Sequence, residues 1–374
     1  MSPGRSGSAG LDAPRPVRPG EELDAGRLAA WLADHLPAPP AGREAPLAVQ
    51  QFPGGHSNLT YLLHWGDREL VLRRPPVGSR VKTAHDMGRE HRLLSRLGAV
   101  YPKAPRALAA EDDPAVLGAP FYVMEPVHGV ILRGPVLPKG VELPLERMRR
   151  LSEALVDGLA ELHAIDLEAA GLADFGRPEG YVARQVAGWS ERWEKSRTDE
   201  VRDLDRVAAW LAGHLPAPPA KAGVALLHND YKYDNLVLAP DDLTRIVAVL
   251  DWEMATVGDP LMDLGTSLGY WIDPDDPPAA RHLPTGPTTH PGNLSRAEVV
   301  ERYARATGRD VSGILFYYAY GLFKIAVIAQ QIYYRYQRGL TRDERFAALL
   351  PAVRLLGWTA ARAIEKRRID RLEG

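Results

Sequence analysis

Three polar residues near the middle of the chain have the residue types and spacing needed for transfer of a phosphoryl group. Asp230 lies in the segment His228-Asn229-Asp230, Asn235 follows five residues later, and Asp251 comes sixteen residues after that. An attacking hydroxyl needs a carboxylate to orient or deprotonate it, and Asp230 can be this catalytic group. Mg²⁺ prefers oxygen ligands and takes only one or two from protein, which Asn235 and Asp251 can supply. The pattern indicates transfer of the γ-phosphoryl group of ATP, with ATP and Mg²⁺ as cofactors.

Short apolar runs predict the strands that position these residues. The runs 224–227, 236–238 and 246–250 are apolar, and turn residues separate the last two. Such short runs are typical of buried strands, so the polar residues are expected at strand ends, where three side chains can converge on one ion. The alternative is that these residues only cap turns in loops. His-x-Asp alone occurs often by chance, but the longer spacing followed by a strand that ends in aspartate is much rarer.

These motifs resemble those of the aminoglycoside phosphotransferase-like family, which has the protein-kinase fold. The family pattern H-G-D-x-x-x-x-N matches residues 228–235, and its later motifs match residues 250–253 and 258–264. Asn229 replaces the usual glycine of the family, and asparagine tolerates unusual backbone angles better than most residues. The resemblance extends from about residue 47 to the C-terminus. It is strongest to a branch that is fused to, or encoded beside, acyl-CoA dehydrogenases, which implies a functional link to such an enzyme.

The order of predicted elements indicates an α+β chain with the two-lobed protein-kinase-like arrangement. An N-terminal helix is predicted up to Leu36, followed by strands and one helix at 47–52, 59–65, 69–73, 83–97 and 119–124. A Pro/Gly break follows near Glu125, and the remaining chain is mostly helical. We therefore expect a small antiparallel-sheet N-lobe with one helix and a larger helical C-lobe that carries the catalytic loop and the acceptor pocket. The corresponding ranges are a disordered tail (1–20), the N-terminal helix with the N-lobe (21–125) and the C-lobe (126–374).

The predicted N-lobe contains the groups expected to hold the nucleotide. Glycines let a turn approach phosphates closely and aim backbone N–H groups at them. The residues assigned to this covering turn are Gly54, Gly55, Ser57 and Asn58. The ATP cleft is expected at the break between the lobes. The residues whose backbone is expected to bind adenine there are Met124, Glu125 and Val127.

An arginine occupies the strand position at which kinases carry a lysine. Side-chain alternation puts Arg73 on the same face as Val71, with Arg74 on the opposite face. Arginine keeps the positive charge and can bind phosphate through two donors, although its reach differs from that of lysine. Glu90 on the following helix is the expected partner of Arg73. The alternative is that Arg73 and Arg74 are solvated charges at the end of the strand.

Several residues near the predicted centre receive supporting roles. We expect His228 to brace the catalytic loop by a hydrogen bond, and Glu253 to be a further metal ligand or a support for the ligands. Lys232 either neutralises charge on the transferred phosphoryl group or faces solvent. Asp259 is expected to brace the catalytic loop, and Asp263 to begin or cap a helix.

The helical lobe gives an indication of the acceptor. Residues 311–340 contain no Asp or Glu but many aromatic residues. A pocket for a polycationic aminoglycoside should offer carboxylates, so this stretch favours an anionic or amphipathic acceptor such as a hydroxyacyl-CoA. The residues predicted to line the acceptor pocket are Tyr317, Tyr320, Lys324, Tyr333 and Arg335. The alternatives are that these aromatic residues pack in the core, or that the acceptor is an aminoglycoside, a sugar or a choline-like alcohol.

Composition limits the other classes of function. A net charge of −2 gives no argument for a nucleic acid or an anionic membrane as partner. The absence of cysteine excludes disulfides and cysteine chemistry. The apolar run 314–334 has Lys324 in its middle, so it predicts a buried helix and not a membrane span. Because the first twenty residues lack the apolar core of a signal peptide, we expect a cytoplasmic protein.

The rival prediction is a pseudokinase-like module that binds nucleotide or acyl-CoA without turnover. The replacement of lysine by Arg73 favours it. The presence of Asp230, Asn235 and Asp251 together favours an enzyme, since a module that only binds ligands needs no such set.

Overall fold

An antiparallel sheet and two helices form the N-terminal part of the protein. The computed structural model describes residues 13–40, 42–53, 58–76, 86–134, 136–219, 223–283, 285–341 and 344–373. The N-terminal elements are α1 (Ala25–His35), β1 (Leu47–Gln51), β2 (Leu59–Trp65), β3 (Arg68–Arg74), α2 (Met87–Leu97), β4 (Ala107–Glu111) and β5 (Phe121–Met124). The strands pair in the order β1-β2-β3-β5-β4, and every neighbouring pair is antiparallel.

The remaining chain is mainly helical and contains two small strand pairs. Its helices are α3 (Leu145–His163), α4 (Tyr181–Ser196), α5 (Arg202–Gly213), α6 (Pro260–Gly269), α7 (Arg296–Thr307), α8 (Ile314–Gln337) and α9 (Leu349–Lys366). Its strands are β6 (Ala225–Leu227), β7 (Leu236–Leu238), β8 (Ile246–Val249) and β9 (Thr256–Gly258). β6 pairs with β9, and β7 pairs with β8. This arrangement confirms the predicted α+β class with a small sheet lobe and a larger helical lobe.

The two faces of β3 belong to different cores because side chains alternate along a strand. Leu70 and Leu72 pack in the core that contains α1, whereas Val71 packs in the larger core that contains α2 and the helical lobe. The same alternation separates the two arginines at the end of the strand. Arg73 lies on the face of Val71, and Arg74 donates to a backbone carbonyl on the other face. Both arginines are buried, so the alternative of solvated charges is wrong.

Residues 13–20 pack against the edge of the sheet. Arg15 and Gln51 exchange both backbone hydrogen bonds at 2.8 Å, beside the edge strand β1. The Gln51 side chain accepts from the Arg18 N–H at 3.0 Å and donates to the Glu21 carboxylate at 2.6 Å. The prediction of a disordered tail is wrong for this part of the tail. An edge strand offers unpaired backbone groups, and even a short proline-rich segment can pair with them.

The backbones of α6 and α8 are in direct contact. A Cβ atom at Gly265 would lie 2.2 Å from the Tyr317 carbonyl oxygen, and one at Gly321 would lie 2.1 Å from the Gly265 carbonyl oxygen. Glycine is therefore required at both positions. Since nothing larger separates the two helices, polar side chains of α8 can reach the loop that α6 supports.

The prediction that α8 is a buried helix is correct, since most of its residues are buried between α6, α4 and α9. Among the described residues, one helical segment, Glu344–Lys366, is long and apolar enough to cross a membrane by length and composition alone. This segment packs against α8 and α5. A single such helix is weak evidence for a span, because packed surface helices pass the same test.

We expect Gly321→Ala to destabilise the protein by roughly 3 kcal/mol, because the added methyl group must push α6 and α8 apart. The measurement is chemical denaturation followed by circular dichroism. Gly213→Ala is the matched control, since a Cβ atom at Gly213 meets nothing within 4 Å. If both variants unfold at the same denaturant concentration, the contact between α6 and α8 does not limit stability.

Candidate active site

The loop between β6 and β7 carries Asp230 and is braced by His228. The buried His228 ring donates from Nε2 to the Leu250 carbonyl at 2.9 Å, and its Nδ1 lies 3.3 Å from the Asp230 N–H. A carbonyl can only accept, so Nε2 carries the proton and Nδ1 accepts from Asp230. Burial lowers the pKa of His228 and favours this neutral form. The geometry is that of a brace, as the sequence predicts, and both ring nitrogens are occupied.

Asn229 adopts a left-handed backbone conformation with φ of 65°. Its side chain donates to the Met254 carbonyl at 3.0 Å and accepts from the Tyr181 hydroxyl at 3.2 Å. Asparagine is among the few residues other than glycine that adopt this conformation at moderate cost. The residue that departs from the family pattern therefore keeps the backbone geometry of glycine and adds two side-chain hydrogen bonds.

Asp263 lies in the first turn of α6 and also braces the catalytic loop, whereas the sequence predicts only that it begins or caps a helix. Its buried carboxylate accepts from the backbone N–H of His228 at 2.6 Å and of Asn229 at 2.8 Å. His163 Nε2 lies 3.2 Å from the same carboxylate. Burial alone would raise the pKa of Asp263, but the hydrogen bond from His163 and those from the loop outweigh it, so the pKa lies below its ordinary value.

Asp259, which the sequence predicts to brace the catalytic loop, instead has the capping role predicted for Asp263. It is the N-cap of α6, with its side chain accepting from the Leu261 N–H at 3.0 Å and from the Tyr317 hydroxyl at 2.7 Å. Pro260 occupies the first turn of the helix, where proline is favoured. That placement makes the preceding aspartate the cap and puts Asp263 in the first turn.

Asp230 accepts hydrogen bonds on both carboxylate oxygens. Oδ1 accepts from the Tyr270 hydroxyl at 2.8 Å and from Lys232 Nζ at 3.1 Å. Oδ2 accepts from Asn235 Nδ2 at 2.9 Å. The Asp230 side chain remains 18% exposed, so a hydroxyl can approach it. Because the amide nitrogen of Asn235 faces Asp230, the amide oxygen is left for another ligand.

Lys232 is held against the catalytic carboxylate, and its side chain is 22% exposed. Its ammonium lies 3.0 Å from Asp230 Oδ2 and 4.4 Å from the centre of the Tyr270 ring. Burial opposes its charge, but Tyr270 and Asp230 outweigh burial and raise its pKa. The ammonium is therefore paired with Asp230 and not directed freely into solvent, and it places a positive charge beside that carboxylate. The sequence does not predict a role for Tyr270 at the site. A signal was available, because Tyr270 follows Asp263 by seven residues, which places it at the end of α6 on the same helical face.

Arg73 is surrounded by three carboxylates. It lies 3.0 Å from Glu90, 3.0 Å from Asp251 and 3.8 Å from Glu253. Burial would raise the pKa of Asp251, but Arg73 outweighs it and holds this pKa below its ordinary value. Glu253 also accepts from Asn58 at 2.7 Å, which connects the end of the predicted glycine turn to the segment after β8. Three carboxylates around one guanidinium leave an excess of negative charge that a further cation can neutralise.

The residues present fit a magnesium ion. Within the described ranges no group of three or more His, Asp or Glu side chains forms a complete metal site. Mg²⁺ does not need one, because it usually takes one or two protein oxygens and the rest from phosphates and water. Asp251 adopts φ of 68° two residues after the end of β8, and its ionised carboxylate and the Asn235 amide oxygen are hard ligands of the required kind.

A cavity of about 480 Å³ lies between the two lobes. The predicted nucleotide and metal residues that line it are Arg73, Glu90, Met124, Glu125, Val127, Asn235 and Asp251. The Glu125 N–H donates to the Arg106 carbonyl at 2.9 Å, so this group is not available for adenine. Among the described residues the Glu125 carbonyl and the Val127 N–H have no backbone partner, so they are available as an acceptor and a donor. Gly54, Gly55 and Ser57 lie outside the described residues.

The predicted acceptor pocket on α8 is wrong for its most buried members. Tyr317 and Tyr320 lie in the core against α6 and α4, and Lys324 is only 2% exposed. Tyr333 is also buried, whereas Arg335 is exposed on the last turn. The alternative of core packing is therefore correct for the aromatic residues.

Two substitutions at Asn229 separate backbone strain from lost hydrogen bonds. Asn229→Gly and Asn229→Ala remove the same two side-chain hydrogen bonds, but only glycine adopts φ of 65° freely. We expect the alanine variant to be less stable than the glycine variant by about 1–2 kcal/mol. Urea denaturation of both variants measures this difference. Equal midpoints would mean that the loop relaxes without cost.

Comparison with known proteins identifies relatives over most of the chain. The profile of the phosphotransferase enzyme family matches residues 48–310. The chain is 33% identical to human acyl-CoA dehydrogenase family member 11 over 92% of its own length and 43% of that protein. A similar relation holds for acyl-CoA dehydrogenase family member 10 of Mus musculus, with 33% identity over 87% of the chain and 30% of that protein. The chain thus spans less than half the length of these relatives.

A solved structure shares both fold and sequence with the chain. It is a putative aminoglycoside phosphotransferase from Ralstonia eutropha, with a TM-score of 0.74 and 29% identity over 91% of this chain and 98% of that one. The match supports the two-lobed kinase-like fold over nearly the whole chain and confirms the family resemblance of the motifs. The chain belongs to the phosphotransferase enzyme family.

Proposed function

We propose that this protein transfers the γ-phosphoryl group of ATP to the hydroxyl of a small molecule. The observation that carries the proposal is the arrangement at Asp230, where Tyr270, Lys232 and Asn235 fix an accessible carboxylate next to the interlobe cavity. In this proposal Asp230 orients and deprotonates the acceptor hydroxyl. Lys232, which is already positively charged, stabilises negative charge that develops on the transferred group.

The nucleotide is expected in the cavity between the lobes. The Glu125 carbonyl can accept from the amino group of adenine, and the Val127 N–H can donate to a ring nitrogen. Guanine presents a carbonyl at the place of that amino group, so this pair favours ATP over GTP. Arg73, oriented by Glu90 at 3.0 Å, is proposed to bind the phosphates. Asp251 and Asn235 would hold Mg²⁺, which would neutralise phosphate charge when bound.

We propose a hydroxyacyl-CoA as the acceptor. Support for this acceptor comes from the relatives that carry the name acyl-CoA dehydrogenase. The aromatic residues of α8 do not support it, since they lie in the core. We further propose that this protein is cytoplasmic and acts with an acyl-CoA dehydrogenase on the same acyl group. The proposal includes neither a nucleic acid nor a membrane as partner. Aminoglycosides, sugars and choline are the competing acceptors.

One observation in the structure favours the pseudokinase alternative. Arg73 contacts Asp251 at 3.0 Å, so the residue in the lysine position pairs with a proposed metal ligand. If this pair does not open, nucleotide can bind without turnover. Measurements of nucleotide binding and of turnover on the same preparation therefore distinguish the two functions.

We expect Asp230→Ala to lower kcat by about 10²–10⁴-fold, which is the usual contribution of a positioned base. Nucleotide affinity, measured by thermal shift with ATP, should stay within a few-fold of wild type, since the Asp230 carboxylate is assigned to the acceptor side. Asp174→Ala is the control, because Asp174 is exposed and pairs with Arg96 at the surface. A variant at Asp230 that retains more than a tenth of the wild-type rate would remove this residue from the proposed role.

The acceptor is tested by nucleotide consumption with Mg²⁺ across 3- and 4-hydroxyacyl-CoA, kanamycin, choline and several sugars, with Asp230→Ala as the blank. We expect turnover with a hydroxyacyl-CoA and faster turnover with ATP than with GTP. Turnover with kanamycin alone would leave the chemistry unchanged and overturn the proposed acceptor. ATP binding without turnover on any acceptor would favour the pseudokinase alternative.

A further inference from the structure

Lys324 is a buried cation for which the chemistry proposed above has no use. It lies in the middle of α8, is 2% exposed, and donates from Nζ to the Asn229 carbonyl at 2.5 Å. The two carboxylates that act most on its charge are occupied by other partners, Asp230 by Lys232 and Asp263 by His163. Within the described part of the chain, Lys324 therefore has a backbone carbonyl as its hydrogen-bond partner and no ion pair of its own.

Burial of an ammonium group without an ion pair is costly, because water is lost and no full counter-charge replaces it. The cost is visible in the pKa of Lys324, which burial lowers to about 8 even though Asp230 and Asp263 act in the opposite direction. An apolar side chain of similar length would suit the core of α8 better. A lysine here is thus explained by what its ammonium contacts and not by packing.

The contact of Lys324 lies on the peptide bond that immediately precedes the catalytic aspartate. The Asn229 carbonyl and the Asp230 N–H belong to one planar group. Lys324 Nζ donates to the oxygen of this peptide group at 2.5 Å, and His228 Nδ1 accepts from the N–H of the same group at 3.3 Å. The plane of this peptide sets the direction in which the Asp230 side chain leaves the backbone. Both polar ends of the plane are therefore fixed by buried side chains from different elements.

The close packing of α8 on α6 makes this contact possible. Gly265 and Gly321 bring the two backbones together, and Lys324 follows Gly321 by three residues, on the same face of α8. From this position its side chain reaches past α6 to the loop. Trp189 of α4 lies 5.9 Å from the ammonium and covers it from another direction.

We propose that Lys324 is a positioning residue, whose ammonium holds the Asn229–Asp230 peptide and thereby orients the Asp230 carboxylate toward the acceptor hydroxyl. This inference rests on the proposed role of Asp230. It assigns to α8 a part in catalysis that does not involve contact with the substrate.

Lys324→Met tests the inference, with Gln330→Leu as a matched control. Gln330 lies on the same helix, is also fully buried, and donates to the Ser196 carbonyl at 2.7 Å, away from the catalytic loop. We expect Lys324→Met to lower kcat by roughly 10- to 100-fold, because small misplacements of a catalytic group have effects of this size. The KM for ATP should change less than twofold. Gln330→Leu should lower the Tm but keep kcat.

Retention of kcat within twofold in Lys324→Met would overturn the inference, as would an equal loss of kcat in Gln330→Leu. If the methionine variant does not fold, Lys324→Gln replaces it. Its amide is one bond shorter and uncharged, so we still expect at least a tenfold loss, and a wild-type rate would again contradict the proposal.

Hydrogen exchange gives a readout that does not depend on turnover. Peptides that cover residues 228–235 should exchange faster in Lys324→Met than in wild type and remain unchanged in Gln330→Leu. Unchanged exchange in Lys324→Met would overturn the inference even if the wild-type protein had no kinase activity. A lack of wild-type turnover together with faster loop exchange in the variant would instead contradict only the proposed function.

Discussion

The buried carboxylate of Asp263 is the interaction on which the geometry of the site depends. A loop that turns through a left-handed residue exposes backbone N–H groups that no strand or helix can pair. Asp263 accepts from two consecutive N–H groups of this loop, at His228 and Asn229. A buried ionised carboxylate is costly in isolation, but three hydrogen-bond donors compensate it here. The helix that carries Asp263 therefore fixes the backbone immediately before the catalytic residue.

The charges of the site are distributed over two separate groups. On the acceptor side, Lys232 balances Asp230 in a pair that excludes most water. On the nucleotide side, Arg73 faces Glu90, Asp251 and Glu253, and one positive charge does not balance three carboxylates. The acceptor side is thus complete in the protein alone, whereas the nucleotide side has excess negative charge. A metal ion with its nucleotide is the kind of ligand that resolves this imbalance.

Much of the fold and of the central motif could be predicted from the sequence, because strand alternation and loop spacing are local properties. The placement of Arg73 beside Glu90, with Arg74 on the other face, follows from side-chain parity alone. Local signals failed for β4, whose alanine-rich sequence has low strand propensity, and for β9, whose sequence Thr-Val-Gly lacks the apolar run that predicts β6 and β7. Both strands form because a neighbouring strand offers unpaired backbone groups. The composition of residues 13–20 predicts disorder for the same reason, since it does not reveal the sheet edge with which Arg15 pairs.

The composition of a helix does not decide whether its aromatic residues line a pocket or pack in a core, as the predicted acceptor pocket on α8 shows. An aromatic stretch without acidic residues has the same sequence whether it lines a pocket or fills a core, and only the packing partner decides between them. In this protein Gly265 and Gly321 let the backbones of α6 and α8 come into contact, and the tyrosines of α8 are therefore buried. The one cation in the middle of the stretch is enclosed with them. Because its charge must then be satisfied by the nearest polar group, the packing that removes Lys324 from a substrate pocket also directs it to the carbonyl next to Asp230.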